Sequence, residues 1–220
     1  MNIIYRISPF KPDNPSIFYT EDKWKLVEVC HDSFLKAGGD KYDTTYIIDS
    51  IDWGKIFKKW GRVVDINTHS KVASLQKAFD EAYKINDKIL FVEDDYLWQP
   101  DTISLMETAL DILPVLSPYD HPAHYTEARF DHKYEIKLIG NQTYRTCPSN
   151  THTFSIQEQV FKDNYEMIRK YGVNDHEMFT ELNKTAQLWC PIPSFATHLA
   201  TGCLAPNVLW YNIANGTPET

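Results

Sequence analysis

Over the first 116 positions the spacing of hydrophobic residues switches repeatedly between a strand period and a helix period. Residues 2–7 (Asn-Ile-Ile-Tyr-Arg-Ile) form a short β-branched run closed by Ser8-Pro9, the pattern of a buried strand and a turn. A Pro- and Asn-rich stretch over 11–20 reads as loop. Across 21–36, Trp24, Val27, Cys30, Phe34 and Leu35 recur at helical spacing, and Gly38-Gly39 stops the helix. A second strand is expected over 44–48, ending at Asp49, followed by a short irregular or helical linker over 50–61 and a third strand over 62–66. Ser70 opens a helix with Val72, Leu75, Phe79, Ala82 and Tyr83 on one face. Residues 88–92 are apolar without interruption, as in a strand covered on both sides, and run straight into Glu93-Asp94-Asp95. A helix over 100–110 and a short strand at 115–116 complete this half.

The second half alternates less cleanly. Residues 134–140 and 142–147 pair as a hairpin around Gly140-Asn141, 155–171 and 175–182 read as helices, and 191–210 reads as a Pro-interrupted loop. Short connections between strands and helices predict an α/β fold, a mostly parallel central sheet flanked by helices. No linker separates two domains. One domain over 1–220 is expected, with its cleanly alternating half over 1–116 and a less regular half over 117–220.

Composition narrows the partners. The 220 residues carry a formal net charge of -8, which argues against a duplex nucleic-acid binder because such proteins need a basic face. It does not exclude an anionic substrate, since a divalent cation reverses the local sign. Aromatic residues make up 14%, with 13 Tyr, 11 Phe and 6 Trp, volume for a core and faces that can stack on a base or sugar. Four cysteines, Cys30, Cys147, Cys190 and Cys203, lack CxxC spacing, so free buried thiols in a reducing compartment are expected. No apolar run approaches the roughly 20 residues of a membrane span, and no signal sequence is visible. The expectation is a cytoplasmic protein, soluble or peripheral to a membrane, with no integral membrane segment.

The stretch that carries chemistry is Glu93-Asp94-Asp95. In an open α/β sheet ligands bind beyond the carboxyl ends of the strands, and three adjacent carboxylates there repel one another unless a hard cation sits among them. A solvated acidic turn is the bland alternative. The run Phe-Val-Glu-Asp-Asp-Tyr-Leu-Trp-Gln-Pro-Asp (91–101) resembles the metal-binding DxD segment of GT-A-fold glycosyltransferases. It is closest to the Glu-Asp-Asp variant of inverting, Mn²⁺-dependent sugar transferases. That resemblance implies that Asp95 binds Mn²⁺ or Mg²⁺ directly, Asp94 approaches the donor ribose or sugar, and Glu93 supports the site. It also implies donor-binding positions at the ends of the first two strands and at the third helix: Arg6, Ser8, Asp49 and Lys71, with Thr68 and Ser74 near the last.

Two later segments fit the same resemblance. Gly172-Val-Asn-Asp175-His-Glu177 is similar to the family segment whose carboxylate deprotonates the acceptor hydroxyl. This implies Asp175 as the base, with Glu177 second, although Asn174 stands where Glu is common. A helix N-cap is the plain alternative there. Pro193-Ser-Phe-Ala-Thr-His198 is similar to the late histidine that completes the metal site, implying His198 as a ligand. Residues 117–125, rich in polar and aromatic groups, are a candidate acceptor wall, and Tyr96, Trp98, Tyr119 and Tyr125 are candidate sugar platforms.

Other chemistries lack their residues. No GxGxxG, GxxxxGK[ST] or GxSxG occurs, and the position four after His176 is Thr180 rather than the second histidine of a zincin. The expected activity is therefore transfer of a sugar from a nucleotide-diphosphate sugar to a hydroxyl of a glycan or other acceptor, with inversion. A metal-dependent nucleotidyltransferase or phosphohydrolase, and a non-catalytic carbohydrate-binding protein, are the alternatives.

Overall fold

The computed structural model describes residues 1–10, 16, 18 and 22–215. Ser16 and Phe18 apart, the loop expected over 11–20 lies outside the described residues, as does Glu21. The strands are β1 (Asn2–Ile7), β2 (Thr44–Ile48), β3 (Arg62–Asp65), β4 (Ile89–Glu93), β5 (Tyr96–Trp98), β6 (Val115–Leu116), β7 (Ile136–Ile139), β8 (Gln142–Thr146), β9 (Phe154–Ile156), β10 (Leu188–Ile192) and β11 (Ala196–His198). The helices are α1 (Lys23–Lys36), α2 (Ile51–Phe57), α3 (Lys71–Tyr83), α4 (Ile103–Ala109), α5 (Ala123–Thr126), α6 (Glu158–Tyr171), α7 (Asp175–Leu182) and α8 (Trp210–Asn215).

One nine-stranded sheet has the order β3-β2-β1-β4-β9-β6-β10-β8-β7. The block β3-β2-β1-β4 is parallel, as is the pair β6-β10. Strands β9 and β8 are antiparallel to their neighbours on both sides, so the other seven share one direction. This is the α/β sheet flanked by helices that the sequence predicts. A two-stranded ribbon, β5 against β11, stands apart from it.

The strand period distributes each central strand between two cores. From β1, β2 and β4, the residues Ile3, Tyr5, Ile7, Tyr46, Ile48, Leu90 and Val92 pack on the side of α1 and α4. Ile4, Ile47, Ile89 and Phe91 face the other way, toward α3, α6 and α7. Both faces are covered, which is why 88–92 reads as an unbroken apolar run. Helices α1, α2, α3 and α7 start where side chains accept orphan amides: Asp22 from Lys25, Ser50 from Trp53, Ser70 from Ala73 and Asn174 from Glu177. Gly38, at φ 99°, takes the left-handed conformation just after α1.

The structure corrects the second half. The helix expected over 155–171 begins at Glu158, because Phe154–Ile156 is a strand inserted between β4 and β6. The loop expected over 191–210 contains the end of β10 and all of β11, and the segment after Glu93-Asp94-Asp95 is strand β5. Cys30, Cys147 and Cys190 are buried free thiols as expected, whereas Cys203 is partly exposed. Among the described residues no helix is long and apolar enough to cross a membrane.

Candidate active site

The carboxyl ends of β1, β2 and β4 open on the same edge of the sheet, and a cavity of about 430 Å³ lies there. Of the positions singled out in the sequence, Arg6, Ser8, Asp49, Lys71, Glu93, Asp94, Asp95, Asp175 and His198 all line it. Glu177 does not. It is exposed on α7, where its backbone amide donates to the Asn174 cap.

The three adjacent carboxylates have separate environments. Glu93, the last residue of β4, is paired with Arg6 of β1. Asp94 is 6% exposed, and both of its oxygens are taken: Oδ2 accepts from the Ser8 amide at 2.8 Å and Oδ1 from Lys23 Nζ at 2.7 Å. Burial, reinforced by the charge of Asp95, raises the Asp94 pKa against the pull of Lys23. The same two aspartates outweigh burial at Lys23 and hold its ammonium charged. Asp94 thus ties β4 to β1 and α1 rather than reaching freely toward a ligand.

Asp95 differs. Its Oδ2 lies 3.2 Å from His198 Nε2, while its Oδ1 is buried with no hydrogen-bond partner. Burial opposes ionisation, but the charge and hydrogen bond of His198, with Lys23 and Arg6, hold this carboxyl well below the usual range. His198 is correspondingly raised: burial works against its charge and Asp95 overrides it. The register explains the meeting. His198 of β11 pairs with Tyr96 of β5, the rings stack at 5.2 Å, and the Leu199 amide donates to the Asp95 carbonyl.

An unpartnered buried carboxylate oxygen is costly, and a divalent cation is one group that would satisfy it. Asp95 and His198 offer one hard oxygen and one imidazole. Among the described residues no group of three His, Cys, Asp or Glu side chains is arranged to hold a metal. Two protein ligands leave the remaining positions to phosphate oxygens and water, which suits Mg²⁺ and Mn²⁺. On this test the residues fit such an ion.

The residues expected on the donor side are organised by Asp49, whose carboxylate accepts the amides of Thr68, His69 and Ser70 at 2.7, 3.0 and 3.2 Å. These bonds hold Asn67 and His69 at positive φ and deliver the first turn of α3 to the cavity. Lys71 lines the wall there, as does Ser74, whose hydroxyl is buried without a partner. Asp175, the first residue of α7, also lines the cavity.

Several cavity residues carried no sequence signal. Lys23 precedes no motif, Phe10 sits in a loop, and Thr151 and His152 fall between recognisable elements. His152 is 5% exposed and donates from Nε2 to the Gly172 carbonyl at 2.6 Å. Conversely, Tyr96, Trp98 and Tyr119 are fully buried, so they present no face to a sugar and serve as core. In the candidate acceptor wall, Tyr119, Asp120 and His124 are also buried. Asp120 is paired with Arg145, and Tyr125 donates to Asp120.

No family model matches the chain, and no curated protein matches it in sequence. Solved structures do. GalNAc-T7, solved with UDP, GalNAc and Mn²⁺, is similar at a TM-score of 0.60 and 11% identity over 91% of this chain and 44% of that one. The bifunctional IspDF from Campylobacter jejuni is similar at 0.51 and 11% identity over 86% of this chain and 48% of that one. The inositol-1-phosphate CTP transferase from T. maritima is similar at 0.50 and 13% identity over 99% and 98%. The chain spans about half the length of the first two. At such identities the likeness is one of fold, the fold of nucleotide-sugar and nucleotidyl transferases.

Proposed function

We propose that this protein is a metal-dependent glycosyltransferase that moves a sugar from a nucleotide-diphosphate sugar to a hydroxyl of a glycan or other acceptor, with inversion. The observation that carries the reading is the unpartnered buried oxygen of Asp95, set against His198 in a cavity that Asp175 also lines. In this reading residues 1–116 bind the donor and 117–220 contribute the acceptor side.

Asp95 and His198 hold Mn²⁺ or Mg²⁺. Bound there, the ion supplies Lewis-acid stabilisation of the charge that grows on the leaving diphosphate. Lys71 adds positive charge on the same side, and Ser8, Ser74 and the loop ordered by Asp49 frame the nucleoside. Glu93 and Asp94 keep β4, β1 and α1 in register behind Asp95. Asp175 takes the proton of the acceptor hydroxyl as it attacks from the opposite face. GalNAc-T7 was solved with a nucleotide, a sugar and Mn²⁺, which supports the metal assignment by analogy of fold.

The likeness to a CTP transferase over nearly its whole length favours one second reading, nucleotidyl transfer. The products separate the two. Incubation with a panel of nucleotide sugars and Mn²⁺ should release nucleoside diphosphate, and Asp95→Ala should abolish the release. Pyrophosphate from a nucleoside triphosphate and a sugar phosphate would establish the second reading instead. Full activity of Asp95→Ala in EDTA would overturn both.

A further inference from the structure

His152 lines the cavity and belongs to none of the motifs above. The strand β9 begins two residues later, and Thr153 anchors it by accepting the Glu93 amide at 3.0 Å. The His152 ring is thereby fixed under the end of β4. Its Nε2 lies 2.6 Å from the Gly172 carbonyl, in the segment that leads into α7 and Asp175. A carbonyl oxygen only accepts, so Nε2 carries the proton. In the neutral ring Nδ1 then keeps its lone pair. Among the described residues no hydrogen bond reaches Nδ1. Its nearest acidic neighbour, Glu93 Oε1, is 4.0 Å away, too far for a hydrogen bond, and is already paired with Arg6. Burial pushes the ring toward the neutral form, against the charges of Glu93 and Asp175.

The corner formed by His152, Glu93, Asp175 and Thr151 is therefore rich in acceptors. It does not suit a phosphate oxygen, which has no proton to give to Nδ1 and is repelled by both carboxylates. It suits a ligand that donates, and the donors of a neutral polar ligand are hydroxyls. We infer that His152 is a hydroxyl-binding residue of this cavity: Nδ1, kept free by the Nε2–Gly172 bond, accepts a hydrogen bond from a sugar hydroxyl. The inference rests on the cavity being the substrate site proposed above. The hydroxyl belongs either to the transferred sugar or to the acceptor.

The test uses ¹⁵N-histidine-labelled full-length protein with Mg²⁺ as a diamagnetic ion. The free protein should show His152 as the Nε2–H tautomer, and D-glucose, D-galactose or D-mannose should shift its Nδ1 resonance. Two variants separate ring chemistry from support. Gln places an amide nitrogen near Nε2 and Asn places an amide oxygen near Nδ1. His152→Gln should keep the Gly172 bond and the melting temperature yet lose about 3–10-fold in monosaccharide affinity, the worth of one neutral hydrogen bond. His152→Asn should stay within about threefold of wild type in affinity. A shift with a UDP-, GDP- or CMP-sugar beyond that with the matching nucleotide assigns the hydroxyl to the donor. A monosaccharide shift that persists with the nucleotide sugar bound assigns it to the acceptor. A protonated Nδ1, no Nδ1 response to any monosaccharide, or unchanged affinity in His152→Gln overturns the inference. A protein that transfers no sugar but still shows the Nδ1 response loses the glycosyltransferase reading and keeps this one.

Discussion

His198 Nε2 lies 3.2 Å from Asp95 Oδ2, although 103 residues separate them in the chain. The contact is made by the short ribbon in which β11 pairs with β5, so the pair proposed to hold the metal is set by a piece of structure outside the main sheet.

Replacing Asp95 by Ala removes the unpartnered oxygen and the partner of His198 together. Transfer should fall by roughly 10²-fold or more, because one strong electrostatic contact to the developing charge is lost. Stabilisation of the protein by a nucleotide sugar should also lose its dependence on Mn²⁺. Initial rates and thermal-shift titrations with and without the ion check both.

Asp175 and Glu177 are two residues apart and differ in what they face. Asp175→Asn should lower kcat by about 10²–10⁴-fold, the usual contribution of a general base, and leave donor binding in place. Glu177→Gln changes a side chain outside the cavity and should leave kcat within about twofold. If Glu177→Gln is the inactive one, the register of the base is wrong.

Lys23 compensates a buried charge rather than decorating the surface. Its side chain is 8% exposed and that of Asp94 is 9%. Lys23→Met leaves Asp94 buried beside Asp95 without its cation and should cost about 3–5 kcal/mol, the usual effect of breaking a buried pair from one side. Lys23→Met with Asp94→Asn should recover part of that loss in urea unfolding.

Two histidines away from the cavity contribute to the loss of stability in acid. Burial, helped by the Lys59 charge, lowers His31 to about 4. Burial with the Arg145 charge lowers His124 to about 3. Both are below the ordinary 6.5, so between these values the unfolded chain binds more protons than the native one. Their stabilising effect is therefore complete above pH 6.5 and is lost as the pH falls toward 4 and 3. His31 alone accounts for roughly 3 kcal/mol across that window. Urea midpoints should drop from pH 7 to 4.5, and His31→Gln should flatten the slope.

Gly172 is where α6, α3 and the approach to Asp175 crowd together. A Cβ there would lie 2.4 Å from Phe79 Cε2 and 2.5 Å from the Ile168 carbonyl oxygen. Since a backbone atom cannot step aside as a side chain can, Gly172→Ala should cost about 1–3 kcal/mol. It should also disturb the Asp175 end of the site, read as a lower melting temperature together with a lower kcat. Gly54→Ala, whose Cβ would meet nothing closer than Val63 Cγ1 at 3.4 Å, is the control for space.

What the amino-acid sequence determined by itself is what rests on local periodicity and local chemistry. Strands β1, β2 and β4, helices α1, α3 and α7, and the β7–β8 hairpin each carry a pattern long enough to declare its period. The acidic residues at the end of β4 mark the edge where the cavity opens, as expected from strand ends of an open α/β sheet. Only the tertiary structure could decide the rest. Strand β9 is three residues, Phe154-Ser155-Ile156, running into the amphipathic α6, and its strand character comes from hydrogen bonds to β4 and β6. Tyr96, Trp98 and Tyr119 looked able to face a sugar until packing enclosed them. Glu93, Asp94 and Asp95 are a uniform acidic triplet as letters; their partners Arg6, Lys23 and His198 come from β1, α1 and β11 and give each a separate task. His152 had no local signal at all, since its role comes from a carbonyl 20 residues away. Burial and charge pairing are properties of neighbours in space, so they appear only once the chain has brought those neighbours together.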